Sequence, residues 1–187
     1  MSLRDYLVRS AEALVNSADA IGQPAIEAAI DCIVGALAAG RPLLVCGNGG
    51  SAADAMHIAG ELVARFLRDR RALPVICLSE SPVVLTAWSN DSSFETVFAR
   101  QVEAYGGEGA VLMGLSTSGT SRNVVAAFEQ ARRMGMKTIA LTGEGGGKLA
   151  PLCDFLLAAP SRYTPIVQQV HLCLYHYICE HVERRLA

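Results

Sequence analysis

The run LLVCGNGGSAADAMHIAGEL, residues 43–62, passes from four apolar residues through a glycine-rich turn into an amphipathic segment. Residues 43–46 show no polar alternation, which is the pattern of a strand covered on both faces in a parallel sheet. The turn Gly47-Asn48-Gly49-Gly50-Ser51 then reverses the chain. From Ser51 onward Ala55, Ile58 and Leu62 recur at helical spacing. Strand, glycine turn and helix in this order form the first half of a βαβ unit. Ser51, with Asp54 three residues on, predicts a capping box at the start of that helix.

The same alternation continues in both directions. Short Val-, Leu- and Ile-rich runs recur at 74–78, 110–115, 137–142 and 154–158. Helix-length segments separate them: 51–67, 82–104 with a break near Asn90, and 121–134. Five strands joined by helical crossovers predict a doubly wound α/β sheet in one domain spanning residues 1–187. Two helices, 3–20 and 24–39, precede the first strand, and one, 165–185, follows the last with Pro165 in its first turn. Both terminal segments have wide apolar faces, among them Ile26, Ala29, Ile30, Ile33 and Leu37. These predict a helical interface between copies of the chain.

Composition narrows the function classes. The 187 residues are 51% apolar and 18% charged, with a net charge of −2. Such a balance offers no electrostatic reason to expect nucleic acid or an anionic membrane as partner. The N-terminal stretch is interrupted by Arg4, Asp5 and Arg9, and no apolar run approaches the roughly 20 residues needed to span a bilayer. The expected location is cytoplasmic. The six cysteines form no Cys-x-x-Cys pair and mostly sit in apolar runs, so they read as buried free thiols.

Three constellations carry chemistry. The glycine turn lets a ligand approach the backbone at the start of a helix, where free N–H groups favour an anion or a cluster of hydroxyls. It also fits a dinucleotide fingerprint formally, but Glu80 lies too far beyond Gly47 for the acidic residue such a site requires. The second is GLSTSGTS, which places Ser116, Thr117, Ser118 and Ser121 after one strand and before one helix. Hydroxyls and exposed amides there suit a phosphate monoester without any lysine.

The third constellation is His57 with Glu61, one helical turn apart on one face. The pair reads either as two metal ligands or as a general base with its orienting partner. On the C-terminal helix Gln168, His171 and Tyr175 share a face. His176 lies about 80° round from Gln168 and about 12 Å along the axis. His181 reads as a solvated residue near the helix end.

CGNGGSAADAMH, LTAWSND, STSGTSRNV, ALTGEGGGKL and QQVHLCLYH, in this order, resemble the phosphoheptose (sedoheptulose 7-phosphate) isomerases of the sugar-isomerase, or SIS, superfamily. The resemblance runs over nearly the whole chain. It implies a five-stranded parallel sheet in a homotetramer with active sites at subunit interfaces. The reaction it implies is the interconversion of sedoheptulose 7-phosphate and D-glycero-D-manno-heptose 7-phosphate through an enediol, the first step toward heptose for lipopolysaccharide and related glycans. By motif, Asn48, Gly49, Gly50, Ser51, Asn90 and Asp91 are expected at the sugar, and Ser116, Thr117, Ser118 and Ser121 at the phosphate. Glu61 and His176 match the acid/base pair, and Glu61 and Gln168 also fall among the substrate contacts. His57, Glu61, Gln168 and His176 match zinc ligands, one ion per subunit.

The chain departs from the family pattern at Gly60, where a second acidic residue is usual, at Ala64 before Arg65, at Gln169, and at Trp88. These positions bear on substrate preference rather than on reaction class. Two rivals share the fold. A regulatory scaffold of the replication-initiator-associating type is expected to lack the counterparts of Glu61 and His176, which are both present. A transcription-factor sensor would carry a helix-turn-helix module, for which the length leaves no room. An isomerase acting on another phosphosugar stays open at this point.

Overall fold

The computed structural model describes residues 1–187. Five strands, β1 (Leu43–Gly47), β2 (Val75–Cys77), β3 (Val111–Ser116), β4 (Lys137–Thr142) and β5 (Phe155–Ala158), form one sheet in the order β2-β1-β3-β4-β5. Every neighbouring pair is parallel. The helices are α1 (Leu3–Ile21), α2 (Gln23–Ala38), α3 (Gly50–Val63), α4 (Pro82–Asp91), α5 (Val97–Tyr105), α6 (Arg122–Arg133) and α7 (Thr164–Leu186). A 3-10 turn at Phe94–Thr96 separates α4 from α5, close to the break expected near Asn90.

The strands are mostly apolar because each face is covered; Ser116 at the end of β3 and Lys137, Thr138 and Thr142 in β4 are the polar members. Leu43, Val45, Val111, Met113, Leu115, Ile139 and Leu141 pack toward α2, α3 and α7. Their neighbours Leu44, Cys46, Leu112 and Ala140 point the other way, onto Phe98 of α5 and Phe128 of α6. Burial of each Val, Leu, Ile, Met or Phe among them contributes about 1.5–3 kcal/mol relative to exposure. Strand β2 is shorter than the expected 74–78, since only three residues at this sheet edge join the ladder.

Two expectations change. The apolar face of α2, with Ile26, Ala29, Ile30, Ile33 and Leu37, is buried within the chain rather than left for a partner. It is α1 that stays uncovered: Leu3, Leu7, Val8 and Val15 are all exposed. All six cysteines are free thiols; Cys46, Cys77 and Cys179 are buried, Cys32 and Cys153 half-buried, whereas Cys173 is exposed on α7. No single helix is long and apolar enough to cross a membrane.

Strand order reverses between β1 and β3, which lie side by side with Gly47 opposite Leu115. In open parallel sheets such a reversal opens a crevice at the carboxyl ends of the strands. The glycine turn leaves β1 and the serine-rich loop leaves β3 at that place.

Candidate active site

Helix α3 begins earlier than the expected capping box requires. Its N-cap is Gly49 and its first residue Gly50, with no side-chain cap, so Ser51 lies inside the first turn and is buried. The chain reaches helical geometry within the glycines, which leaves Ser51 and Asp54 nothing to cap. Asp54 instead faces α7, where its Oδ1 lies 3.5 Å from the Tyr175 hydroxyl. The amides of Gly49 and Gly50 meet no acceptor in the chain. A Cβ on Gly50 would come within 2.4 Å of Gln168 Nε2, so the Gln168 amide rests directly on the turn.

The serine loop closes against the same turn. Ser116 and Ser121 share a hydroxyl–hydroxyl hydrogen bond of 2.9 Å. Ser118 Oγ accepts from the amide and the hydroxyl of Thr120, and Thr117 is half-buried beside it. The amides of Ser121, Arg122 and Asn123, at the start of α6, have no acceptor. Gly119, at φ +64°, lies so near Gly146 that a Cβ would stand 2.1 Å from that carbonyl oxygen, which packs the loop after β4 onto the loop after β3. The result is a cup of hydroxyls and helix-terminal N–H groups, suited to an anion.

Asn123 joins the two loops, and sequence reasoning did not single it out. It is buried and exchanges two amide hydrogen bonds of 2.8 Å with Asn48, across 75 positions of sequence. Ser79 holds the turn from the other side, its hydroxyl accepting from the Gly47 amide and donating to the Gly47 carbonyl. The local signal for Asn123 is slight: a polar residue in the first turn of α6 directly before the apolar Val124.

His57 and Glu61 do share a face of α3, with His57 Nε2 2.9 Å from Glu61 Oε1. His57 Nδ1 meets the Tyr175 hydroxyl at 2.9 Å. One turn of α7 brings His176 beside them, its ring 5.0 Å from that of His57. A ligand atom from each of His57, Glu61 and His176 lies within 4.8 Å of the others, all from one chain. Two imidazoles and a carboxylate are a donor set typical of catalytic zinc. A tetrahedral ion holds such atoms about 3.3 Å apart, so the three fit it with a modest inward movement. Tyr175 would then orient the His57 ring through its second nitrogen, as outer partners of ligating histidines do.

Burial sets the electrostatics behind the site. The Asp54 carboxyl is raised above the usual range, chiefly by burial and against the pull of the Tyr175 hydrogen bond and of His57. The Tyr175 hydroxyl is pushed well up, first by burial and then by the Asp54 charge. His171 turns away from the crevice: it is fully buried, its Nε2 hydrogen-bonds the Thr142 carbonyl at 3.1 Å, and burial lowers its pKa to about 4. His181 bonds the Tyr177 carbonyl, and its ring lies tilted by 31° against the Tyr177 ring. Asn90 and Asp91 sit at the exposed end of α4, hydrogen-bonded to each other at 2.7 Å. A groove of about 590 Å³ lies away from this chemistry between α1, α2 and α7.

The SIS domain family matches residues 6–143. A phosphoheptose isomerase from Crocosphaera subtropica is 52% identical over 87% of this chain and 83% of its own length. One from Synechocystis is 45% identical over 98% and 95%. The chain belongs to the phosphoheptose isomerases of the SIS domain family. Its fold superposes on the structure of phosphoheptose isomerase GmhA from Neisseria gonorrhoeae with a TM-score of 0.91, at 36% identity over 97% of each chain. The corresponding enzyme from Francisella tularensis gives 0.93 at 36% identity, over 97% of this chain and 96% of that one. The likeness to the sugar isomerase domain of an RpiR transcription factor from Sphaerobacter thermophilus, TM-score 0.71 at 22% identity, is one of fold alone.

Proposed function

We propose that this crevice interconverts sedoheptulose 7-phosphate and D-glycero-D-manno-heptose 7-phosphate, with the phosphate in the serine cup and the carbonyl end at Glu61 and His176. The observation that carries this reading is the convergence of Glu61, His57 and His176 from α3 and α7 beside the two ligand loops. The cup supplies Ser116, Thr117, Ser118 and Ser121 with the free amides of α6. Asn48, Gly49, Gly50, Ser51 and Gln168 line the path from cup to His–Glu pair, and Asn90 and Asp91 would meet sugar hydroxyls.

Isomerisation moves one proton between carbons and one between oxygens. Glu61 takes a proton from C1 of the ketose and returns it to C2 of the resulting enediol. His176 gives a proton to the C2 oxygen as the enediol forms and takes one from the C1 oxygen as the aldehyde forms. Proton transfer of this kind contributes about 10²–10⁴-fold, and the rest must come from stabilising negative charge on the two oxygens. A zinc ion held by His57, Glu61, Gln168 and His176, one per subunit, would supply that stabilisation as a Lewis acid, with Glu61 and His176 each serving as ligand or as proton carrier at a given moment and not as both. The exposed Leu3, Leu7, Val8 and Val15 of α1 and the exposed Asn90 and Asp91 favour a homotetramer with interfacial sites. A cytoplasmic location accords with the absence of a single membrane-spanning helix.

Steady-state turnover of sedoheptulose 7-phosphate, with and without added zinc after chelation, tests the reading. Turnover in the wild type and a loss of at least about 10²-fold in Glu61→Gln and in His176→Ala are expected. A folded wild type that leaves this substrate unchanged, yet turns over another phosphosugar, would overturn the heptose assignment.

A further inference from the structure

The loop between α3 and β2 is tied to α7 by a buried ion pair that the reaction itself does not use. Glu183 is fully buried, and its carboxylate accepts three successive backbone N–H bonds, from Phe66 at 2.9 Å, Leu67 at 2.7 Å and Arg68 at 2.9 Å. Arg70 Nη2 lies 3.3 Å from the same carboxylate, and both side chains are 1% exposed. Burial alone would raise the Glu183 carboxyl, but the three amides and the Arg70 charge hold it below the usual range. Arg70 also donates to the carbonyls of Glu61, at 2.8 Å, and Ala64, at 3.1 Å, at the C-terminal end of α3. Its guanidinium therefore closes α3 where helix carbonyls lack partners.

The clasp reaches both members of the reacting pair. Glu61 belongs to the helix whose end Arg70 holds, and its own carbonyl is one of the acceptors. His176 lies two helical turns before Glu183 on α7 and so on nearly the same face. The ring of Phe66, whose amide Glu183 grips, stacks on the His176 imidazole at 5.5 Å between centroids and 13° between planes. Buried ion pairs contribute little net stability compared with apolar packing of the same volume, and their best-attested use is to fix a register.

We propose that Glu183 and Arg70 are positioning residues for the reaction, fixing Phe66 flat against His176 and setting the separation between His176 and Glu61. This rests on the reading of Glu61 and His176 as the reacting pair. A displacement of about 1 Å at a reacting group costs up to 10²-fold in rate, so the effect falls on kcat while phosphate binding in the cup, whose residues the clasp does not bond, is preserved.

The test compares Phe66→Leu, Phe66→Tyr, Glu183→Gln and the Phe66→Leu/Glu183→Gln double variant, beside Glu61→Gln and His176→Ala. Each is measured for kcat, KM, thermal midpoint and oligomeric state. Phe66→Leu, which keeps the apolar volume but not the flat face, is expected to lower kcat about 10- to 100-fold with KM within about threefold. Phe66→Tyr restores most of kcat. Glu183→Gln lowers kcat similarly, and the double variant is no worse than the poorer single one, because both act along one path. Equal kcat in Phe66→Leu and wild type, equal losses in Leu and Tyr, or multiplying losses in the double variant would overturn the proposal. If Glu183→Gln does not fold, Arg70→Lys, which keeps the charge but not the paired carbonyl contacts to Glu61 and Ala64, decides together with the two Phe66 variants: kcat lowered about tenfold or more is expected, and wild-type kcat would overturn the proposal. Full activity in Glu61→Gln or His176→Ala would overturn the assignment of the pair instead, and the positioning role with it.

Discussion

Gly50→Ala separates stability from function at one atom. The added Cβ would stand 2.4 Å from Gln168 Nε2 and 3.0 Å from Gln168 Cδ, where ordinary contact begins near 3.4 Å. The amide must therefore retreat by about 1 Å. The three atoms nearest the new methyl all belong to the movable Gln168 side chain, and Gly50 lies outside the left-handed region, so the fold has little reason to resist it. At the first position of α3, alanine is also the better helix former, by at most about 1 kcal/mol. The expected result is a thermal midpoint unchanged or slightly raised, with kcat/KM for sedoheptulose 7-phosphate reduced about 10- to 100-fold. Gln168→Ala should lose activity on its own, and adding Gly50→Ala to it should cost little more. Wild-type activity in Gly50→Ala would refute a role for Gln168 in the site. A loss of more than about 2 kcal/mol in stability would refute the view that only a movable amide opposes the methyl.

Asn123→Ala removes both amide bonds to Asn48; a stability loss of about 1–3 kcal/mol by denaturant titration and a raised KM are expected, because the link between the two ligand loops is gone. Gly119→Ala meets the Gly146 carbonyl at 2.1 Å from a left-handed backbone, and neither can yield cheaply, so calorimetry should show a loss above about 1 kcal/mol. His171 is buried neutral with its pKa lowered from 6.5 to about 4. Between those values the unfolded chain binds the proton and the native one does not. Its contribution is therefore intact above pH 6.5 and is lost as pH falls toward 4, by about 3 kcal/mol in all. Chemical denaturation of wild type and His171→Phe across that range should show a shallower acid decline in the variant.

The parallel sheet was legible because both of its faces are covered, leaving β1 and all of β3 but its last residue as apolar runs and β4 with an apolar centre, Ile139 to Leu141, between threonines. The two ligand loops were legible because each interrupts the strand–helix alternation with small and hydroxyl-bearing residues. The start of α3 was misread, since a Ser-x-x-Asp spacing looks the same whether it caps a helix or lies inside one whose glycines have already turned. The partners of the site were hidden for another reason. Asn48 with Asn123, and His57 with Tyr175, meet across 75 and 118 positions. Glu183 meets the loop after α3 across 115 to 117. Pairings at such distance come from the crossovers and leave no local periodicity. The wheel placed Gln168, His171 and Tyr175 on one face of α7, but only packing reveals that His171 turns to the Thr142 carbonyl while Gln168 meets the glycine turn.

The most direct measurement is proton NMR of the purified protein with sedoheptulose 7-phosphate in deuterated buffer, run beside Glu61→Gln. An enediol base at Glu61 predicts an aldose phosphate appearing in the wild type, deuterium entering at C1 of the ketose and C2 of the aldose, and neither signal in the variant. Deuterium exchange persisting at the wild-type rate in Glu61→Gln would contradict the site assigned here.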